Sequence, residues 1–118
     1  MFKIKTDTKI KNYETGENYI EYKDTERETD STYGIVIARF LSRADAQKHD
    51  SILCMELAEK VTKGKDVEIN SQEELLIRAV LKEAGLSAEI VGPIFIHMDT
   101  QKLKKEPVDK EVEDKKGK

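Results

Sequence analysis

The chain has 118 residues, 38% of them charged and 37% hydrophobic, with aromatics at 6% and no tryptophan. That is one domain's worth of sequence, able to bury a core without metals or disulfides but with little to spare for large buried interfaces. A net charge of −3 argues against a protein devoted to coating nucleic acid, which needs clustered Lys and Arg.

The single cysteine, Cys54, rules out an internal disulfide and fits a reducing, cytoplasmic setting. No apolar run approaches the roughly 20 residues needed to span a bilayer. The start, MFKIKTDTK, lacks the apolar middle of a secretion signal. The expectation is a cytoplasmic protein with no membrane partner.

In residues 2–11, FKIKTDTKIK, Phe2, Ile4, Thr6, Thr8 and Ile10 alternate with Lys3, Lys5, Asp7, Lys9 and Lys11. A period of two predicts a strand with a lysine row on its wet face. NYETGENY (12–19) follows as a turn, with Gly16 free to take positive φ. Residues 18–23, NYIEYK, read as a second strand. Residues 24–32, DTERETDST, hold no apolar side chain and read as a solvated loop or a long hairpin tip. Residues 33–41, YGIVIARFL, are β-branched and apolar on both faces. They predict a central strand covered on both sides, completing a three-stranded antiparallel meander.

Helices are predicted from there on. Ser42, with Asp45 three residues later, reads as an N-cap for a helix over 43–63. Its stripe would be Ala46, Leu53, Cys54, Leu57, Ala58 and Val61, and Gly64 would end it. Residues 65–69, KDVEI, read as extended. A second helix over 73–84 would start from a capping box, either Asn70–Glu73 or Ser71–Glu74. It would bury Leu76, Ala79 and Val80, with Leu75, Ile77 and Leu81 widening the stripe and Gly85 closing it. Ser87 would cap a third helix, 88–99, kinked at Gly92-Pro93. The alternative is a single turn and a fresh helix with Pro93 at its first position. From Lys102 the chain is almost all charge and reads as a disordered tail. The organisation expected is a single α+β domain over 1–101 and a tail over 102–118.

No catalytic, metal or cofactor constellation is read from the sequence. His49, Asp50 and Ser51 are adjacent, and neighbours on a helix point apart. Ser51 lacks a strained-turn context. His97 beside Asp99 is remote along the chain. Cys54 falls on an apolar stripe, where a thiol packs as a small hydrophobe. The acidic run Asp24, Glu26, Glu28 and Asp30 lacks the glycine and ligand offsets of a calcium loop. TKGKD lacks the frame of a phosphate loop. An enzyme is therefore disfavoured.

The surplus of apolar residues points instead to a protein partner or to self-association. The candidate interface is Tyr19, Tyr22, Ile35, Ile37, Ile52 and Met55, with 24–32 as an arm. The competing reading places nucleic acid on Lys3, Lys5, Lys9 and Lys11. Against it, Asp7 interrupts the row and no aromatic or Arg accompanies it; lysines also guard strand edges.

FLSRAD, leading into ELAEKV and then DVEINSQEELLIRAVLKEAGLSAEIVGPI, covers roughly residues 39–98. In layout this resembles the small accessory proteins encoded by tailed bacteriophages and prophages. The resemblance rests on no diagnostic motif and carries no site residues. It implies a protein of the bacterial cytoplasm that works by binding, not by turnover.

Overall fold

The computed structural model describes residues 1–22 and 28–105. Among the described residues it is an α+β fold of four helices and two small antiparallel ribbons. The elements run β1 (Phe2–Lys5), β2 (Ile20–Tyr22), β3 (Glu28–Asp30), α1 (Tyr33–Ser42), α2 (Ser51–Lys63), β4 (Asp66–Ile69), α3 (Ser71–Glu83) and α4 (Ala88–Lys105).

The expected central strand over 33–41 is a helix, and this overturns the three-stranded meander. Ile35, Val36 and Ile37 favour a strand locally, but tertiary packing wins. The buried residues of α1 are Tyr33, Gly34, Val36, Ile37 and Leu41, while Ile35, Ala38 and Arg39 lie on its less buried side. Thr32 caps the helix by accepting the Ile35 N–H. The N–H groups of Tyr33 and Gly34, which no turn of helix can satisfy, donate to the carbonyls of Thr8 and Thr6 at 2.9 Å each.

Without that strand, β1 pairs across the chain with β4 in the register Phe2↔Ile69, Lys3↔Glu68, Ile4↔Val67 and Lys5↔Asp66. β2 pairs with β3 from Ile20↔Asp30 to Tyr22↔Glu28. The strand expected over 2–11 ends at Lys5, with isolated bridges at Lys9↔Thr32 and Lys11↔Asn18 beyond it. The segment read as a solvated loop or hairpin tip, 24–32, holds β3, and its residues 24–27 lie outside the described residues, as does Lys23.

The helix expected over 43–63 is shorter. Ser42 is the last residue of α1, not a cap. Asp45 organises a turn by accepting from Gln47 N–H at 2.8 Å, and Ala46 in that turn is exposed, not part of a stripe. Asp50 caps α2 by accepting from Ile52 and Leu53. Gly64 does end the helix, with extended rather than left-handed backbone.

In α3 the Asn70–Glu73 capping box forms in both directions. Its buried face is Glu74, Ile77, Val80 and Leu81, and Leu75 turns outward. Gly85 has φ +70, as expected of a residue that closes a helix. Helix α4 runs through Pro93 without a break and on into Lys102–Lys105, so the start of the expected tail is helical. Residues 106–118, the rest of that tail, lie outside the described residues.

One core joins all of this: Phe2, Ile4 and Ile10 from the first segment, Val36, Ile37 and Leu41 from α1, Leu57 and Val61 from α2, Ile69 from β4, Ile77 and Leu81 from α3, and Ile94 and Met98 from α4. A His49–Glu83 hydrogen bond at 3.0 Å joins the segment before α2 to the end of α3, and the Lys60–Glu73 ion pair at 3.1 Å joins the last turns of α2 to the start of α3. Arg78 ties α3 to α4 through Asp99 at 2.6 Å and stacks over Phe95. Buried Glu74 accepts from Arg78 and from Lys102.

Candidate functional site

The lysine row does not form a free cationic ribbon. Directly opposed residues of an antiparallel pair put their side chains on the same face. Lys3 therefore stands beside Glu68, and Lys5 beside Asp66. Lys9 pairs with Asp30 at 3.0 Å. Lys3, Lys5, Lys9 and Lys11 are all exposed, but three of them have a carboxylate for a neighbour.

The interface candidates divide. Ile37 is fully buried in the core, so it is withdrawn from any surface: once 33–41 is helical, its side chain turns inward. Tyr22 belongs to β2, its side chain outside the described part. Tyr19 is half-buried, its hydroxyl donating to Glu89 Oε1 at 2.6 Å. The hydrogen bond to the Glu89 carboxylate first, and the desolvation of Tyr19 second, push the Tyr19 phenol up from its ordinary range. Ile35 is half-buried on the outer side of α1. Ile52 and Met55 are 71% and 54% exposed. Ile52 projects from the side of α2 opposite its packed stripe of Cys54, Leu57, Ala58 and Val61, and Met55 from the flank next to it. Beside Met55 an open groove of about 540 Å³ runs between α1 and α2, with Ala38, Arg39 and Ser42 on one wall and Glu56, Glu59 and Thr62 on the other.

A second arrangement was not anticipated. One stripe of α4, at four-residue spacing, holds the N-terminal segment. Glu89 accepts the Tyr13 N–H at 2.6 Å through Oε2 as well as the Tyr19 hydroxyl. The hydrogen bond from Tyr19, followed by that from Tyr13, holds the Glu89 carboxyl below its usual range. His97 Nε2 accepts the Lys5 N–H at 3.0 Å, and Gln101 Nε2 donates to the Lys3 carbonyl at 3.0 Å. The free edge of β1 is thus met by side chains, not by a strand.

At the second position of the stripe, Pro93 can make no such bond. A cleft of about 490 Å³ opens there, between Tyr13, Tyr33, Ala88, Gly92, Ile96 and His97. The 89–93–97–101 spacing is visible in the sequence; its partners are not, because they lie some 70 to 100 residues away along the chain.

His49 is committed to Glu83. Cys54 is buried, and desolvation, with Asp50 adding to it, pushes its thiol up. That disfavours the reactive thiolate. Among the described residues no group of three or more His, Cys, Asp or Glu is placed to hold a metal ion. No described helix is long and apolar enough to cross a membrane. Compared with known proteins, the chain matches no family model, no curated protein and no solved structure.

Proposed function

We propose that this is a non-enzymatic binding protein whose first partner is a second copy of itself, joined through the α1–α2 face. The observation that carries the reading is the outward placement of Ile52 and Met55 on a helix whose other side is already packed. A two-fold axis at such a face makes an isologous contact, setting Ile52 and Met55 of one copy against the same residues of the other. On the resemblance in layout, the setting is the bacterial cytoplasm, and the protein is an accessory factor encoded by a phage or prophage.

Light scattering after size exclusion, at low and high salt, tests this reading. The wild type is expected to run as a defined oligomer that persists in high salt, since apolar burial is not screened. Ile52→Glu with Met55→Glu is expected to give a monomer with an unchanged circular dichroism spectrum. A wild type that is monomeric at every concentration would overturn self-association. The competing reading, nucleic acid on Lys3, Lys5, Lys9 and Lys11, is weakened by the carboxylates facing three of them. Oligonucleotide binding that falls steeply with salt would restore it.

A further inference from the structure

His97 can accept the Lys5 N–H only while Nε2 carries no proton, with the ring hydrogen on Nδ1. Once protonated, the ring presents an N–H at both nitrogens, and Nε2–H would face the Lys5 N–H donor to donor. The groups around the ring do not welcome the added charge. From β1 comes the Lys5 ammonium, itself opposite Asp66 of β4, and from α4 comes Lys104. From α1 comes the uncharged ring of Tyr33, its centroid 5.4 Å from that of His97. Tyr13 lines the same cleft from the preceding turn. Glu89, two turns back on the stripe, is occupied by Tyr13 and Tyr19.

We propose that His97 is a proton-operated latch on the outer edge of β1: neutral, it closes the edge at Lys5; protonated, it lets go and leaves that edge open. The cleft beside Pro93, of which His97 forms one wall, provides room for the ring to swing. Helix α4 itself stays in place. Ile94 and Met98 are fully buried, and Asp99 and Lys102 keep their ion pairs to Arg78 and Glu74 of α3. What opens is therefore local: the Lys5 N–H alone, because the Lys3 carbonyl stays with Gln101. It is the kind of backbone donor that an added extended segment would pair with.

The direction of the pH effect follows from burial, with Lys5 and then Lys104 contributing less: together they lower the His97 pKa from its ordinary 6.5. Between the lowered value and 6.5 the unfolded chain binds more protons than the folded one. The latch's contribution to stability is therefore fully present above 6.5, and it is lost as pH falls through the lowered value.

Amide hydrogen exchange by NMR, with the His97 ring resonances followed alongside, tests the latch. As pH falls from about 7.5 to about 5, the ring is expected to protonate and the Lys5 amide to lose roughly tenfold or more of its protection, corrected for intrinsic exchange. The Thr6 amide, which donates to the Lys65 carbonyl on the β4 side at 2.9 Å, is expected to keep its protection. His97→Gln supplies an amide oxygen that does not titrate, and is expected to hold Lys5 protected at both ends of the range. His97→Ala is expected to lose that protection throughout.

Unchanged Lys5 protection while the ring protonates would overturn the proposal. So would the same pH-dependent loss in His97→Gln, or a ring still neutral at the acid end. Should His97→Ala fail to fold, the wild type and His97→Gln decide the matter.

Discussion

At Gly34 a missing Cβ decides where two segments can meet. A methyl group there would lie 2.7 Å from the Val61 carbonyl oxygen and 3.0 Å from the Thr6 Cβ. The first of these neighbours is backbone and cannot swing aside. The start of α1 thus sits against the end of α2 and the first segment at a distance that only glycine permits. Gly34→Ala is expected to destabilise the fold by about 1–3 kcal/mol, overpacking outweighing the gain in helix propensity. Urea denaturation reads this directly; a stability equal to or above the wild type's would show that the crossing is looser than described. In the sequence Gly34 looked like an ordinary member of an apolar strand, because the atoms that demand glycine are contributed by residues 6 and 61.

At the scale of elements, caps were legible and the identity of α1 was not. Asn70 and Glu73 carry their capping box within four residues of sequence, so the start of α3 could be narrowed to one of two boxes. Gly85 likewise announced its turn. In 33–42 both periodicities fit, since an almost continuous apolar run satisfies a period of two as well as one of 3.6. The signal that distinguishes them was present but short: Thr32 as a cap, then Tyr33, Val36, Ile37 and Leu41 at helical spacing.

The difference has a measurable consequence. As a helix, α1 places Ile37 in the core, whereas Ile52 of α2 points to solvent. Ile37→Ala is expected to cost about 2–5 kcal/mol. Ile52→Ala, measured on dilute protein, is expected to stay within about 0.5 kcal/mol of wild type. Equal effects in thermal or chemical denaturation would contradict the assignment of the two faces.

For the whole molecule, the first residues act as a keystone. Phe2 and Ile4 enter the core, β1 supplies the partner of β4, and Thr6 and Thr8 receive the first N–H groups of α1. Deleting residues 1–5 is expected to abolish the cooperative thermal transition while helical signal remains, because it strips apolar contacts and a strand partner together. A truncated chain that still melts cooperatively near the wild-type temperature would show that β1 is an accessory.

The amino-acid sequence by itself determined the α+β class, the existence of the three later helices, and the start of α3 to within one of two capping boxes. All of these depend on residues within a turn or two of each other. Tertiary structure decided that 33–42 is a helix, that β1 pairs with β4, that Ile37 is core, and that Glu89, His97 and Gln101 hold the N-terminal segment. Those outcomes turn on groups up to 98 residues apart, and no local propensity contains the free energy of a contact made only when the chain is folded.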